Sequence, residues 1–220
     1  MLSTPIFDGI DYDKVYEPSE DSFYLLDCFE DQQTYLLSKY GNRVPLVLEI
    51  GTGSGIVTTF MLQHILPQAL YLASDINPSA CITARNTIRQ NCSERANFVD
   101  ILRMDLASSL RTNIVDVLVF NPPYVPAEEM PIPPANNEEG ELWLDLALLG
   151  GKDGMVTTWK VLNLLQEILA SDGIAYILFC ARNRPDEVAE IMRNRGWSVD
   201  VIINKKAGWE VLSILRFTKA

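Results

Sequence analysis

Short apolar runs and amphipathic stretches alternate along most of the chain. Leu46–Ile50, Leu70–Ser74, Phe98–Leu102, Val115–Phe120 and Ile174–Cys180 have strand length and aliphatic character, and they predict buried strands. Between them, Ser54–Leu66, Pro78–Asn91 and Gly154–Ala170 carry apolar residues at helical spacing. In the last of these Met155, Trp159, Leu162, Leu165 and Leu169 form one stripe, which is ordinary core packing. A further helix is expected after Pro18. Ser19 is its candidate cap, Glu20 and Asp21 occupy its first turn, and Phe23, Leu26, Phe29 and Leu36 share a face. Pro185–Arg195 predicts a short helix. Strands Ser198–Ile203 and Glu210–Phe217, joined through Asn204–Trp209, predict a terminal antiparallel pair. Repeated strand–helix units imply a parallel sheet covered on both faces, in one doubly wound α/β domain over residues 1–220 without internal repeats. Pro126–Gly151 breaks the pattern. Pro126, Pro131, Pro133 and Pro134, followed by Asn136-Asn137-Glu138-Glu139-Gly140-Glu141, predict a long loop of the kind that serves as a lid, a binding loop or a disordered insertion.

Charge narrows the possible partners. The chain of 220 residues carries 18 Lys+Arg against 29 Asp+Glu, a formal net charge of −11, and so lacks the basic footprint from which nucleic-acid binding draws its affinity. No basic region followed by an apolar core opens the chain, and Ile174–Ala181 is far too short to span a bilayer. No membrane association is expected. Cys28, Cys81, Cys92 and Cys180 show no paired close spacing, so they are expected to be small buried hydrophobes rather than metal ligands, in a cytoplasmic protein. The lone His64 lies in an apolar helix and is assigned a structural role.

Candidate chemistry sits at the ends of the predicted strands, where open α/β sheets bind ligands. The first ends in Leu48-Glu49-Ile50-Gly51-Thr52-Gly53-Ser54-Gly55. A dinucleotide fingerprint would need glycine at 56, which is Ile. The spacing Gly51, Gly53, Gly55 behind an acid resembles instead the S-adenosylmethionine loop of class I methyltransferases, and that resemblance supplies the cofactor. Glu49 is placed to take part in a network reaching the cofactor's ammonium group. Asp75, in Ser74-Asp75-Ile76-Asn77-Pro78, is placed for the ribose hydroxyls, a role compatible with capping the next helix. Asp105 and Leu106 follow the third strand, where the methyltransferase pattern puts the adenine contacts.

The fourth strand ends in Asn121-Pro122-Pro123-Tyr124, which resembles the catalytic motif of methyltransferases that modify a planar nitrogen, either a glutamine amide or an adenine amino group. The lone pair of such a nitrogen is delocalised, so positioning must replace nucleophilicity. The Asn121 side-chain oxygen and the Pro122 carbonyl can accept its two N–H groups. Tyr124 can stack on the planar group, and the two prolines stiffen the turn.

Together with Tyr16-Glu17-Pro18-Ser19-Glu20-Asp21-Ser22-Phe23-Tyr24-Leu25-Leu26 and Gly150-Gly151-Lys152-Asp153-Gly154, these motifs resemble the HemK family of protein-glutamine N5-methyltransferases, from about residue 12 to Lys219. The first motif begins at residue 16, leaving no room for the helical substrate-binding domain of bacterial members. The match is therefore to the eukaryotic and archaeal branch, which methylates the glutamine of the Gly-Gly-Gln loop in the class I translation termination factor. The resemblance implies a class I methyltransferase fold, Rossmann-like, with a seven-stranded mostly parallel sheet in the order 3-2-1-4-5-7-6. It implies S-adenosyl-L-methionine held by Tyr16, Ser22, Glu49, Gly51, Gly53, Gly55, Asp75, Asp105, Leu106 and Asn121. Catalysis and substrate binding fall to Asn121, Pro122 and Tyr124, with Pro123 on the substrate side, and no metal is required.

The resemblance also implies a heterodimer with a small zinc-binding activator subunit. Its place would be the edge strand around Asn97–Met104, whose apolar residues a second chain could cover. Glu128, Glu129, Glu138, Glu139 and Glu141 are a solvated surface by default, or else steer the basic flanks of the substrate loop. The runner-up activities are adenine-N6 methylation of nucleic acid, which uses the same motif but needs a basic surface, and methylation of other or additional protein substrates. A cofactor-binding scaffold without activity would not need Asn121.

Overall fold

Seven of the apolar runs assemble into one sheet. The computed structural model describes residues 2–134 and 140–219. The strands are β1 (Leu46–Ile50), β2 (Leu70–Asp75), β3 (Val99–Arg103), β4 (Val115–Phe120), β5 (Leu169–Cys180), β6 (Trp197–Ala207) and β7 (Glu210–Lys219). Their spatial order is β3-β2-β1-β4-β5-β7-β6, with β7 alone antiparallel to its neighbours, which is the expected 3-2-1-4-5-7-6 arrangement. The order reverses between β1 and β4, so the cleft outside the carboxyl ends of those two strands is the natural ligand site.

The two faces of the sheet are covered separately. Alternation along the central strands sends Val47, Val117, Val119 and Tyr176 to one face, under helices α1 (Glu20–Tyr40), α2 (Ile56–Phe60) and α3 (Pro78–Asn91). Leu48, Leu118, Phe120 and Ile177 point to the other, under α5 (Val156–Ile168) and α6 (Pro185–Asn194). The four cysteines are free and buried, and His64 packs its ring on Phe60 while Nε2 meets the Ser3 carbonyl at 3.0 Å. The burial of the cysteines is as the sequence implies.

Four local expectations need correction. Ser54–Leu66 is not one α-helix: after α2 the chain widens into a π-helical turn over Met61–Ile65. β5 begins at Leu169 rather than Ile174, with a register shift that pairs Val115 with Leu169 and Val117 with Ile174 around the polar Ser171-Asp172-Gly173. β6 runs on to Ala207, so its link to β7 is only Gly208 and Trp209; Lys205 and Lys206 sit in the strand because edge positions tolerate cations. Finally, Pro126–Gly151 is not all loop. Val125–Pro126 pairs in parallel with Leu149–Gly151, and Gly140–Leu148 forms helix α4. The segment Glu141-Leu142-Trp143-Leu144-Asp145-Leu146-Ala147-Leu148 contains good helix formers and no breaker, and the prolines upstream hide that signal. Glu138 and Glu139 lie outside the described residues.

Candidate active site

Every residue expected at the cofactor and substrate lines one cleft at the carboxyl ends of β1, β2 and β4, except Gly55, which lies just behind it. Gly55 opens α2 at φ +77, and a Cβ there would stand 2.7 Å from the Ala84 Cα, so the glycine lets the loop and α3 close on each other. The Gly51 and Gly53 backbones face the cleft, with open space where a Gly53 side chain would be.

The acids differ in their surroundings. Glu49, at the end of β1, is buried; its Oε2 accepts from Thr52 Oγ1 at 2.8 Å, from Thr58 N at 3.2 Å and from Thr58 Oγ1. Burial outweighs these bonds and pushes its carboxyl up to about 7, with the Asp75 charge adding to the rise. Asp75 at the end of β2 accepts from Gly53 N and from Asn77 N, both at 2.9 Å, and burial raises its carboxyl too. It ties the glycine turn to the second strand. The cap of α3 is not Asp75 but Asn77, whose Oδ1 accepts from Ser79 N at 2.9 Å. Asp105 is exposed at the rim. Leu106 holds a left-handed conformation, φ +52, with its carbonyl accepting from Ser74 Oγ at 3.0 Å; strain of this kind in a bulky residue persists only where its surroundings impose it.

At the end of β4, Asn121 donates from Nδ2 to Asp21 Oδ2 at 3.0 Å, while its buried Oδ1 has no partner among the described residues. Asp21 Oδ1 in turn accepts from Ser22 N at 2.6 Å and Ser22 Oγ at 3.3 Å. Tyr16 lies beside the same carboxylate. Burial first, then the Asp21 charge, pushes its hydroxyl up to about 12. Burial and Asp21 raise the Tyr124 hydroxyl still further. Both tyrosines are therefore neutral donors near neutral pH.

The Asn-Pro-Pro-Tyr turn is clamped from its far side. Asn183 Nδ2 donates to the Tyr124 and Asp153 carbonyls, each at 3.0 Å, and its Oδ1 accepts from Cys180 N at 2.8 Å. Gly154, φ +68, lies so close that a Cβ would overlap the Tyr124 carbonyl oxygen, and Gly150 presses on the Pro123 carbonyl in the same way. This packing explains the Gly150–Gly154 motif, which is a backbone clamp for the turn.

Sequence reasoning missed three contributors. Asp21 has a signal, since it adjoins Ser22 within a recognised motif. Asn183 and the buried Trp143 of α4, which lines the cleft and whose indole N–H has no partner among the described residues, have none. Among the described residues no cluster of His, Cys, Asp and Glu could hold a metal ion, and no helix is long and apolar enough to cross a membrane.

This sheet order, with a glycine turn after β1 and acids closing the next strands, is that of the Rossmann-like class I methyltransferases. Residues 27–132 match the family described as the methyltransferase small domain. The eRF1 methyltransferase catalytic subunit mtq2 of Schizosaccharomyces pombe is 37% identical over 98% of this chain and 95% of its own length. Methyltransferase HEMK2 of Homo sapiens is 36% identical over 95% of this chain and 92% of its own. The solved Mtq2–Trm112 complex of E. cuniculi, described as responsible for methylation of the eRF1 translation termination factor, matches with a TM-score of 0.63. Its identity is 26%, over 94% of this chain and 99% of that chain. The chain belongs to the HemK family of methyltransferases, in the branch of the eRF1 methyltransferase catalytic subunits.

Proposed function

We propose that this chain transfers a methyl group from S-adenosylmethionine to the side-chain amide nitrogen of the glutamine in the Gly-Gly-Gln loop of a class I translation termination factor. The observation that carries the reading is the Asn121 carboxamide. Its Nδ2 is committed to Asp21, and its buried Oδ1, in a residue that lines the cleft, has no partner among the described residues and is left as an acceptor for an incoming N–H. The relatives' names, and the description of the E. cuniculi complex, point to the same protein substrate.

The residues present fit the cofactor. Open space over Gly53 and the backbone of Gly51 suit a ligand that approaches the main chain closely, and the buried Glu49 and half-buried Asp75 give the floor of the cleft a capacity for negative charge that a cationic ligand would draw out. In this reading Tyr16, Ser22, Glu49, Gly51, Gly53, Asp75, Asp105, Leu106 and Asn121 hold the cofactor, with Gly55 shaping the loop. When bound, S-adenosylmethionine supplies an electrophilic methyl group on a sulfonium. Asn121 Oδ1 and the Pro122 carbonyl would accept hydrogen bonds from the two amide N–H groups and turn the nitrogen's face toward that methyl; as the N–C bond forms and the S–C bond breaks, one amide proton is released to solvent and one N–H remains. Tyr124 covers the planar amide and excludes water, and Pro122 and Pro123 keep the turn rigid, so orientation is paid for in folding rather than in binding.

A small partner chain of the kind in the E. cuniculi complex would pair with the β3 edge, and Phe98, in the turn just before that strand, is 47% exposed; the sequence resemblance makes that partner zinc-binding. Glu128, Glu129 and Glu141 are exposed on the segment beside the cleft and would attract basic flanks of the substrate loop. We place the activity in the cytoplasm, a reducing compartment in which four unpaired buried cysteines persist.

The test is methyl transfer by the chain with its activator subunit to three acceptors: a termination factor, its Gln-substituted form and adenine-containing oligonucleotides. Label in the first alone is expected, and Asn121→Ala should abolish it while S-adenosylhomocysteine still binds. Transfer to the oligonucleotides, or near-normal activity of Asn121→Ala, would overturn the reading.

A further inference from the structure

We propose that Asp21 is a positioning residue that sets which end of the Asn121 carboxamide faces the substrate, an inference that rests on the glutamine-methylation reading. An asparagine amide has two nearly isosteric ends, and the reaction can use only one. With Oδ1 toward the substrate the amide hydrogens find an acceptor; with Nδ2 there, donor meets donor. Asp21 removes the choice. Its Oδ2 accepts from Asn121 Nδ2 at 3.0 Å, and turning the carboxamide over would set Oδ1 against a carboxylate, acceptor against acceptor.

Asp21 is itself held. It is 4% exposed, in the first turn of α1, where backbone N–H groups lack helical partners, and its Oδ1 takes the Ser22 N–H at 2.6 Å and the Ser22 hydroxyl at 3.3 Å. The Ser19 hydroxyl, at the N-cap position, makes no capping bond. Orientation thus passes from the start of α1, through one carboxylate, to a side chain 100 residues later in the sequence.

Asp21→Asn tests this because the substitution keeps the shape. The short bond from Ser22 N holds an oxygen on that side, so the new NH2 group faces Asn121 Nδ2. The clash is relieved by turning Asn121 over, which presents a donor to the substrate amide. With the activator-bound enzyme and a termination factor as substrate, kcat should fall roughly 100-fold, the range seen when one preorganised polar group is removed from a transition state. Affinity for S-adenosylhomocysteine should stay within about threefold by calorimetry, on the scale of a contact left in place.

The exchanged pair, Asp21→Asn with Asn121→Asp, restores a donor–acceptor contact and again turns an oxygen to the substrate. It should recover at least about tenfold over Asp21→Asn alone, whereas independent structural damage would multiply. Asp21→Asn retaining wild-type kcat would overturn the proposal. So would an exchanged pair that binds S-adenosylhomocysteine normally yet is no faster than the slower single variant. An Asp21→Asn that fails to fold leaves the exchanged pair to decide. Failure of the glutamine reading shows elsewhere, as a wild-type enzyme inactive on the factor. In that event the hydrogen bond is still tested through the Asn121 side-chain amide protons by NMR, expected to exchange slowly in wild type and fast in Asp21→Asn; fast exchange in both would overturn it.

Discussion

Glu49 makes the stability of the ligand-free protein depend on pH with a definite sign. Its carboxyl is pushed from 4.5 up to about 7 by burial, so the folded state holds a proton that the unfolded chain has already lost over that interval. The stabilisation from this group is complete below about pH 4.5, and it is lost as pH rises through about 7. Two and a half units at about 1.4 kcal/mol each give a loss on the order of 3 kcal/mol, with a steepest slope near 1.4 kcal/mol per pH unit. Glu49→Gln removes the titration and keeps the contacts, because its carbonyl oxygen can accept from Thr52 and Thr58 as Oε2 does. Urea unfolding at about pH 5, 6, 7 and 8 should show the variant gaining about 3 kcal/mol on wild type across the series, at constant m. Asp75, also raised, leaves a slope of the same sign in both proteins, so the difference reports Glu49 together with its coupling to Asp75. Parallel curves would refute the reasoning. A cation bound in the cleft reverses the effect: near pH 6.5 wild type should release a proton on binding S-adenosylmethionine, measured as a buffer-dependent heat, and Glu49→Gln should release less.

Other perturbations probe the turn and the two surfaces. Gly154→Ala forces an L side chain into a left-handed conformation against the Tyr124 carbonyl. Expected are about 1–2 kcal/mol of backbone strain, a fall in Tm of several degrees and slower turnover with cofactor affinity retained; unchanged turnover would contradict the clamp. Phe98→Ala, in the turn that leads into the β3 edge, removes about 2 kcal/mol of apolar burial if the activator subunit covers that edge. Its affinity for this chain should then fall about tenfold or more in a titration, and equal affinities would exclude the site. Neutralising Glu128, Glu129 and Glu141 should lower kcat/KM for the termination factor and flatten its dependence on salt, with kcat at saturation unchanged; identical salt slopes would dismiss steering.

What the sequence made legible followed from local rules that the tertiary structure had no reason to override. Buried parallel strands are continuous apolar runs, so β1 and β4 could be bounded to the residue, and Pro78 marks the start of α3 by chemistry that is entirely local, although the cap proved to be Asn77 and not Asp75. The strand-end positions of Glu49, Asp75, Asp105 and Asn121 followed from the strands themselves. What stayed hidden was pairwise and long-range. The Gly150–Gly154 motif was visible, but not the reason for it, because the atoms it must avoid belong to a turn about 30 residues earlier. Helix α4 was masked by the prolines and acids that precede it in the sequence. Asp21 is the sharpest case: at the start of an amphipathic helix an acid is fully explained by the helix dipole, and that explanation is correct. Only the packing of α1 against the end of β4 reveals that the same carboxylate faces Asn121, where its second oxygen makes the one contact that distinguishes the two ends of an amide. A residue that satisfies a local rule with one atom and a distant one with another leaves only the first mark in the sequence.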